Sequence, residues 1–136
     1  MDKLKQRIDS CRQAITTLDE ALQIPFSIIV RDGSIQRFEY SFESTWKMLK
    51  SYLAKQEGII CNSPKRCFRM ALDTDLLLAE EVATCLLMTD DRNLTSHTYI
   101  EAVAEAIYSK LPRYASLMRK LLKQIEQQLL KETRLA

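Results

Sequence analysis

Apolar side chains recur along most of this chain at steps of three and four, the period of an amphipathic helix. Leu4, Ile8, Cys11, Ile15, Leu18 and Leu22 fall on one stripe, with Lys3, Lys5, Arg7, Asp9, Arg12 and Asp19 on the other faces. That predicts a first helix of about five turns. Ile35, Phe38, Phe42, Trp46, Leu49 and Leu53 make a second stripe, which carries three aromatics including the sole tryptophan. Large rings on a helical stripe usually supply burial, so these read as core. Gly58 then reads as a helix stop. Ser63-Pro64 opens a third helix, with serine as N-cap and proline at the first helical position. Asp73-Thr74-Asp75 interrupts it. A fourth runs from about Asp75 to about Asp90, with Leu78, Val82, Cys85, Leu86 and Thr89 on one side. The last stripe runs Val103, Ile107, Leu111, Tyr114, Met118, Leu121, Ile125, Leu129 and survives Pro112. A proline inside a helix removes a backbone bond, which predicts a kink near Tyr108 to Leu111. Fraying is expected from Lys131 to Ala136.

The run Ile24 to Val30 reads as a packed connection or, alternatively, as an exposed apolar patch used for association, and Asp32-Gly33 gives a turn signal. Together the stripes predict an all-α fold, an antiparallel four- or five-helix up-and-down bundle, as one domain over residues 1–136. Composition agrees. Only 2 glycines and 3 prolines leave little turn chemistry for a sheet, and 46% hydrophobic residues exclude a disordered chain. A net charge of +2 does not announce a nucleic-acid binder, and Lys65, Arg66 and Arg69 read as a solvated basic face. The charged N-terminus and the absence of a long apolar run point to a cytoplasmic protein that makes no use of a membrane. Cys11, Cys61, Cys67 and Cys85 lack metal-ligand spacing and are expected as buried free thiols; no metal or cofactor is expected.

The stretch Asp90 to Glu101 departs from these patterns. It holds the only histidine, His97, with Arg92 five residues before it and Tyr99 two after. Thr98 followed three residues later by Glu101 fits a capping box, which would put Thr98 at the N-cap, Tyr99 in the first helical turn and His97 beside free backbone N–H groups. Residues five apart on one continuous helix diverge around its axis. A break at Asn93 to Ser96 would let Arg92 and His97 share a cleft. Asp90 and Asp91 sit where the helix dipole disfavours carboxylates, so Arg92 or a nearby lysine should compensate them. A histidine can take a proton from a ribose 2′-hydroxyl or protonate a leaving oxygen, and an arginine can hold the scissile phosphate. The structural reading is also coherent, and these three residue types are common enough that the spacing alone favours it. His97 would satisfy a helix junction, Arg92 would pair with Asp90 or Asp91, and Tyr99 would pack.

The run Asp91-Arg92-Asn93-Leu94-Thr95-Ser96-His97-Thr98-Tyr99 closely resembles the signature of the nucleotidyltransferase substrate-binding family, within the HEPN superfamily of helical domains. Gln36-Arg37-Phe38-Glu39-Tyr40-Ser41-Phe42-Glu43, continuing through Trp46-Lys47 and Leu49-Lys50, resembles that family's second helix, and Ser63-Pro64-Lys65 its third-helix start. The resemblance implies a homodimer and a small nucleotidyltransferase partner encoded by an adjacent gene. In the toxin–antitoxin branch with R-x4-H-x-Y, it implies that Arg92 and His97 form a catalytic RNase site across the dimer, acting on RNA. It also implies that Tyr99 receives AMP, which silences the toxin, with Asp91 and Asn93 as supporting positions. The alternative within the superfamily is a non-catalytic substrate- or nucleotide-binding subunit of the nucleotidyltransferase.

Overall fold

A computed structural model describes residues 2–135 and contains five α-helices. Helix α1 spans Lys3–Leu22, α2 Ile28–Tyr52, α3 Pro64–Asp73, α4 Ala79–Leu94 and α5 Glu101–Leu135. Each start has a local cause. The Asp2 carboxylate accepts from the Leu4 N–H at 2.9 Å, Ser27 Oγ from Val30 N at 3.0 Å, and Ser63 Oγ from Arg66 N at 3.4 Å. For α4 the Glu81 side chain reaches back to the Leu78 N–H at 2.8 Å. Helix α2 ends in a wider π turn, Leu53–Glu57, closed by Gly58 at φ 66° and an Ile59 N–H to Leu53 carbonyl bond. Asp75, at φ 61°, ends α3 in the left-handed region that aspartate tolerates better than most residues.

Side-chain contacts give the helix directions. Asp2 meets Lys55, Cys11 meets Thr45 and Thr17 meets Tyr40, so α1 and α2 are antiparallel. Arg12 meets Glu126 and Asp19 meets Arg119, so α1 and α5 are antiparallel too. Glu81 with Lys120 and Asp91 with Lys110 give the same order for α4 and α5. The result is an up-and-down helical bundle. The predicted stripes supply its core: Phe38, Phe42 and Phe68 adjoin one another, and Phe38 stacks on Tyr114 with ring centroids 5.6 Å apart. Among the described residues no helix is long and apolar enough to cross a membrane.

Several details differ from the sequence reading. Asp32-Gly33 is not a turn; both lie inside α2, because Ser27 caps that helix well ahead of the first stripe position. Of the Ile24 to Val30 run, only the part before Ile28 is a connection; Phe26 rests against Tyr108 with ring centroids 5.9 Å apart, yet Ile24, Phe26, Ile28 and Ile29 are largely exposed, Ile29 at 84%, as the alternative reading expects. Trp46 is half-buried rather than core. Helix α4 starts and ends about four residues later than its stripe suggested, with Leu78 exposed ahead of it. Helix α5 continues through Pro112 to Leu135; Ala136, the last residue of the tail expected to fray, lies outside the described residues. Four free thiols are not found. Cys61 and Cys67 form a disulfide, their Cα atoms brought to 5.5 Å by the turn that leads into α3, and only Cys11 and Cys85 are free.

Candidate functional site

Arg92 lies in the last turn of α4, one residue after Asp91, and Asp91 is what fixes that turn. Its side chain is buried between α4 and α5, where it accepts from Lys110 Nζ at 2.8 Å and from the Tyr114 hydroxyl. Burial, reinforced by the Asp91 carboxylate, pushes the Tyr114 phenol far above its usual range, so it stays a donor. Lys65 from α3 pairs with Asp90 at 2.6 Å. Lysines thus compensate the two carboxylates that the dipole disfavours, which leaves Arg92 for other partners.

Those partners are Glu43 and Thr95. Arg92 Nη1 donates to Thr95 Oγ1 at 3.2 Å, and Thr95 Oγ1 donates to the Arg92 carbonyl at 2.7 Å, closing a small loop at the helix end. Arg92 Nε lies 3.6 Å from Glu43 Oε1 of α2, close enough for charge attraction but too long for a hydrogen bond. Glu43 Oε2 accepts from the Trp46 indole at 3.0 Å. Arg92, Glu43, Tyr40, Glu39 and Gln36 line a shallow depression of about 280 Å³. Neither Glu43 nor Thr95 is marked by the sequence as a partner of Arg92. Their only signal is that Thr95 is a short hydroxyl at i+3, a spacing that reaches back to a helix end.

After Leu94 the chain tightens into a 3₁₀ turn, Thr95–His97, and reaches α5 through Thr98, Tyr99 and Ile100. The expected break between Arg92 and His97 exists, one to two residues later than predicted. The expected capping box does not. Thr98 Oγ1 donates to the Thr95 carbonyl at 3.3 Å, and the Ile100 carbonyl accepts the first α5 bonds from Val103 and Ala104. Glu101 is drawn away by Arg31, whose side chain is covered to 3% exposure and is held by Asp32 at 3.0 Å and by Glu101. That pairing depresses the Glu101 carboxyl below its ordinary range. Tyr99 therefore precedes α5 rather than opening it, and is 80% exposed. His97, also exposed, lies with its ring centroid 5.9 Å from that of Tyr99, edge to face, and its Nδ1 3.5 Å from the phenolic oxygen. Asn93 is exposed on the preceding turn, and its carbonyl accepts from Ser96 Oγ at 3.4 Å. The structure thus brings His97 and Tyr99 together, directs Arg92 toward Glu43 and Thr95, and makes Asp91 the anchor of the turn. A paired imidazole and phenol on an open turn can move a proton and accept a covalent group. The Arg92 guanidinium, which the structure does not bring into contact with that pair, can hold an anion.

The chain is similar in sequence and fold to known proteins. A family model described as nucleotidyltransferase substrate binding protein like matches residues 6–127. A probable ribonuclease HepT of Haemophilus influenzae is 31% identical over 99 residues, which cover 70% of this chain and 66%, just under two thirds, of that protein. A crystal structure of a Thermus thermophilus protein superposes with a TM-score of 0.82 at 46% identity, covering 85% of this chain and 98% of that one. A second solved structure, from Haemophilus influenzae and described as revealing the fold of a substrate binding domain of a nucleotidyltransferase, gives a TM-score of 0.63 at 25% identity over 90% and 96% of the two chains. With nearly its whole bundle inside the family match, the chain belongs to the nucleotidyltransferase substrate-binding-protein-like family.

Proposed function

We propose that this protein is a HEPN-type partner subunit of a small nucleotidyltransferase and acts as a toxin-like, metal-independent endoribonuclease. Arg92 and His97 are its catalytic pair, and Tyr99 is where the partner attaches AMP. The observation that carries this reading is the pairing of His97 with the exposed Tyr99 on the turn that follows Arg92. His97 takes the proton from a ribose 2′-hydroxyl, whose oxygen attacks the adjacent phosphorus. The bond to the 5′-oxygen breaks, and that oxygen leaves with a proton from a second acid, His97 of another copy in a homodimer. Arg92 holds the phosphate oxygens as charge builds on them. In silencing, the Tyr99 oxygen attacks the α-phosphorus of ATP, pyrophosphate leaves, and the phenolic proton passes to solvent. A nucleotide attached 3.5 Å from Nδ1 would cover the imidazole.

A homodimer fits the exposed apolar group Ile24, Phe26, Ile28 and Ile29. Arg31 ties the first turn of α2, next to that group, to Glu101, two residues past Tyr99. An interface there would set two copies of the turn near each other.

RNA cleavage by the purified protein, compared with His97→Ala, is the test. Loss of about 10²–10⁴-fold in rate supports the assignment. Equal cleavage by both, or none by either at high protein concentration, overturns it. Incubation with the neighbouring nucleotidyltransferase and ATP should add the mass of one AMP, and Tyr99→Phe should prevent that addition. One observation favours the second reading, a non-catalytic substrate- or nucleotide-binding subunit: Glu43 already stands 3.6 Å from Arg92 Nε and meets part of its charge. That reading predicts co-purification with the nucleotidyltransferase and no cleavage.

A further inference from the structure

A second concavity lies away from the R-x4-H-x-Y turn. It is a groove of about 440 Å³ between the start of α1 and the second half of α2. Five cations line it, Lys3, Arg7, Lys47, Lys50 and Lys55, against one carboxylate, Asp2. Asp2 is occupied with Lys55 at 2.6 Å and with the Leu4 N–H. Among the described residues, Lys3, Arg7, Lys47 and Lys50 have no carboxylate within ion-pairing distance. The groove therefore concentrates more positive charge than the +2 carried by the whole chain. Like charges gathered without counter-charges raise the local potential and draw anions to it.

The wall of the groove is Trp46, half-buried, with its indole N–H fixed on Glu43 at 3.0 Å. The Lys50 ammonium lies over the ring, 5.8 Å from its centroid. Unpaired cations around an oriented aromatic face are the arrangement with which proteins hold single-stranded nucleic acid: bases stack on the ring and phosphates sit on the cations. Lys50 need only turn from the ring to a phosphate for a base to take its place. Glu43 links the groove to the separate depression that holds Arg92. The same Glu43 that orients Trp46 faces Arg92 Nε, and Glu43 and Lys50 are separated by two turns of α2, about 10 Å along the helix.

We propose that the Trp46 groove binds the single-stranded RNA flanking the cleaved bond, a base on the indole and phosphates on Arg7, Lys47 and Lys50, and that the strand runs along the outer face of α2 to Arg92. The proposal deepens the ribonuclease reading and takes the ligand's identity from it, but it makes a claim about binding that needs no cleavage. Trp46 is the only tryptophan, so its emission reports on this groove alone. Titration of the full chain, carrying His97→Ala to prevent turnover, with an oligoadenylate of roughly ten nucleotides should quench that emission, more weakly as salt rises. The double variant Lys47→Glu, Lys50→Glu, with a circular dichroism spectrum unchanged from the parent, should bind at least about tenfold more weakly. Arg7→Glu should act in the same direction from the opposite wall. Absence of quenching, equal quenching in the charge-reversed variants, or stronger quenching by ATP or by polyglutamate than by the oligonucleotide would each overturn it. Binding without cleavage in the unmutated chain would leave this groove standing and remove the catalytic assignment. Cleavage that survives charge reversal with unaltered affinity would do the opposite.

Discussion

The Tyr99 hydroxyl stands 3.5 Å from His97 Nδ1, on a turn that belongs to neither flanking helix. A phenol placed this way is reachable by a second protein, and whatever is attached to it lies against the imidazole. At 80% exposure the tyrosine does little for the fold. Tyr99→Phe should therefore shift unfolding free energy by no more than about 0.5 kcal/mol. Urea denaturation checks this, and RNA cleavage by the variant should stay within a few-fold of the parent while AMP addition is lost. A large loss of cleavage in Tyr99→Phe would make the phenol part of the proton path instead.

Asp91 should be the structural member of the motif. It is buried, and it ends α4 by holding Lys110 and the Tyr114 hydroxyl on α5. Asp91→Ala leaves both donors without their acceptor, a loss of about 2–3 kcal/mol, and Tyr114→Phe loses one bond, about 1–2 kcal/mol. The two losses should be less than additive, because they share a contact. Midpoints of urea denaturation with unchanged slopes would show it.

The helices are legible in the sequence because burial imposes a period, and the stripes of α1, α2 and α5 name core residues such as Ile15, Phe38 and Leu121 correctly. What escapes a sequence reading has long-range causes. The Thr98 to Glu101 box has the right local spacing, but Glu101 is claimed by Arg31, seventy residues earlier in the chain. The Asp32-Gly33 turn signal is overridden by the Ser27 cap upstream. Glu43 has the spacing of a partner for Lys47; only the packing of α2 beside α4 turns it to Arg92. The Cys61–Cys67 bond depends on a turn conformation that spacing alone does not specify.

The two free thiols predict where the alkaline loss of stability begins, below the pH at which the buried Tyr114 phenol adds its own loss. Burial holds Cys11 at about 11 and Cys85 at about 12, against 9.0 for an open thiol. Above pH 9 the unfolded chain releases these protons while the folded chain keeps them, so the unfolded state gains and stability falls as pH rises. Between pH 9 and 11 each thiol should contribute a slope of up to about 1.4 kcal/mol per pH unit. Thermal melts from about pH 7 to 11 should show the decline, and Cys85→Ala should flatten it even where it lowers the melting temperature at neutral pH. The same decline in Cys11→Ala, Cys85→Ala would assign it elsewhere.

Glu43→Gln separates the two readings of Arg92. In the structure the carboxylate faces the guanidinium at 3.6 Å and also accepts from Trp46. Glutamine keeps an acceptor for the indole and removes the charge. If Arg92 serves to hold a phosphate, Glu43 competes with the substrate, and neutralising it should tighten oligonucleotide binding by about two- to fivefold, the effect of removing one partly screened charge pair. Arg92→Ala should cancel that gain, since the competition exists only with the guanidinium present. If Arg92 is there to be paired, with α4 docked on α2 through it, Glu43→Gln should lower the melting temperature and leave RNA affinity unchanged. Binding and melting curves on the four proteins of this double-mutant cycle, with His97→Ala as background, decide between a poised phosphate site and a structural ion pair.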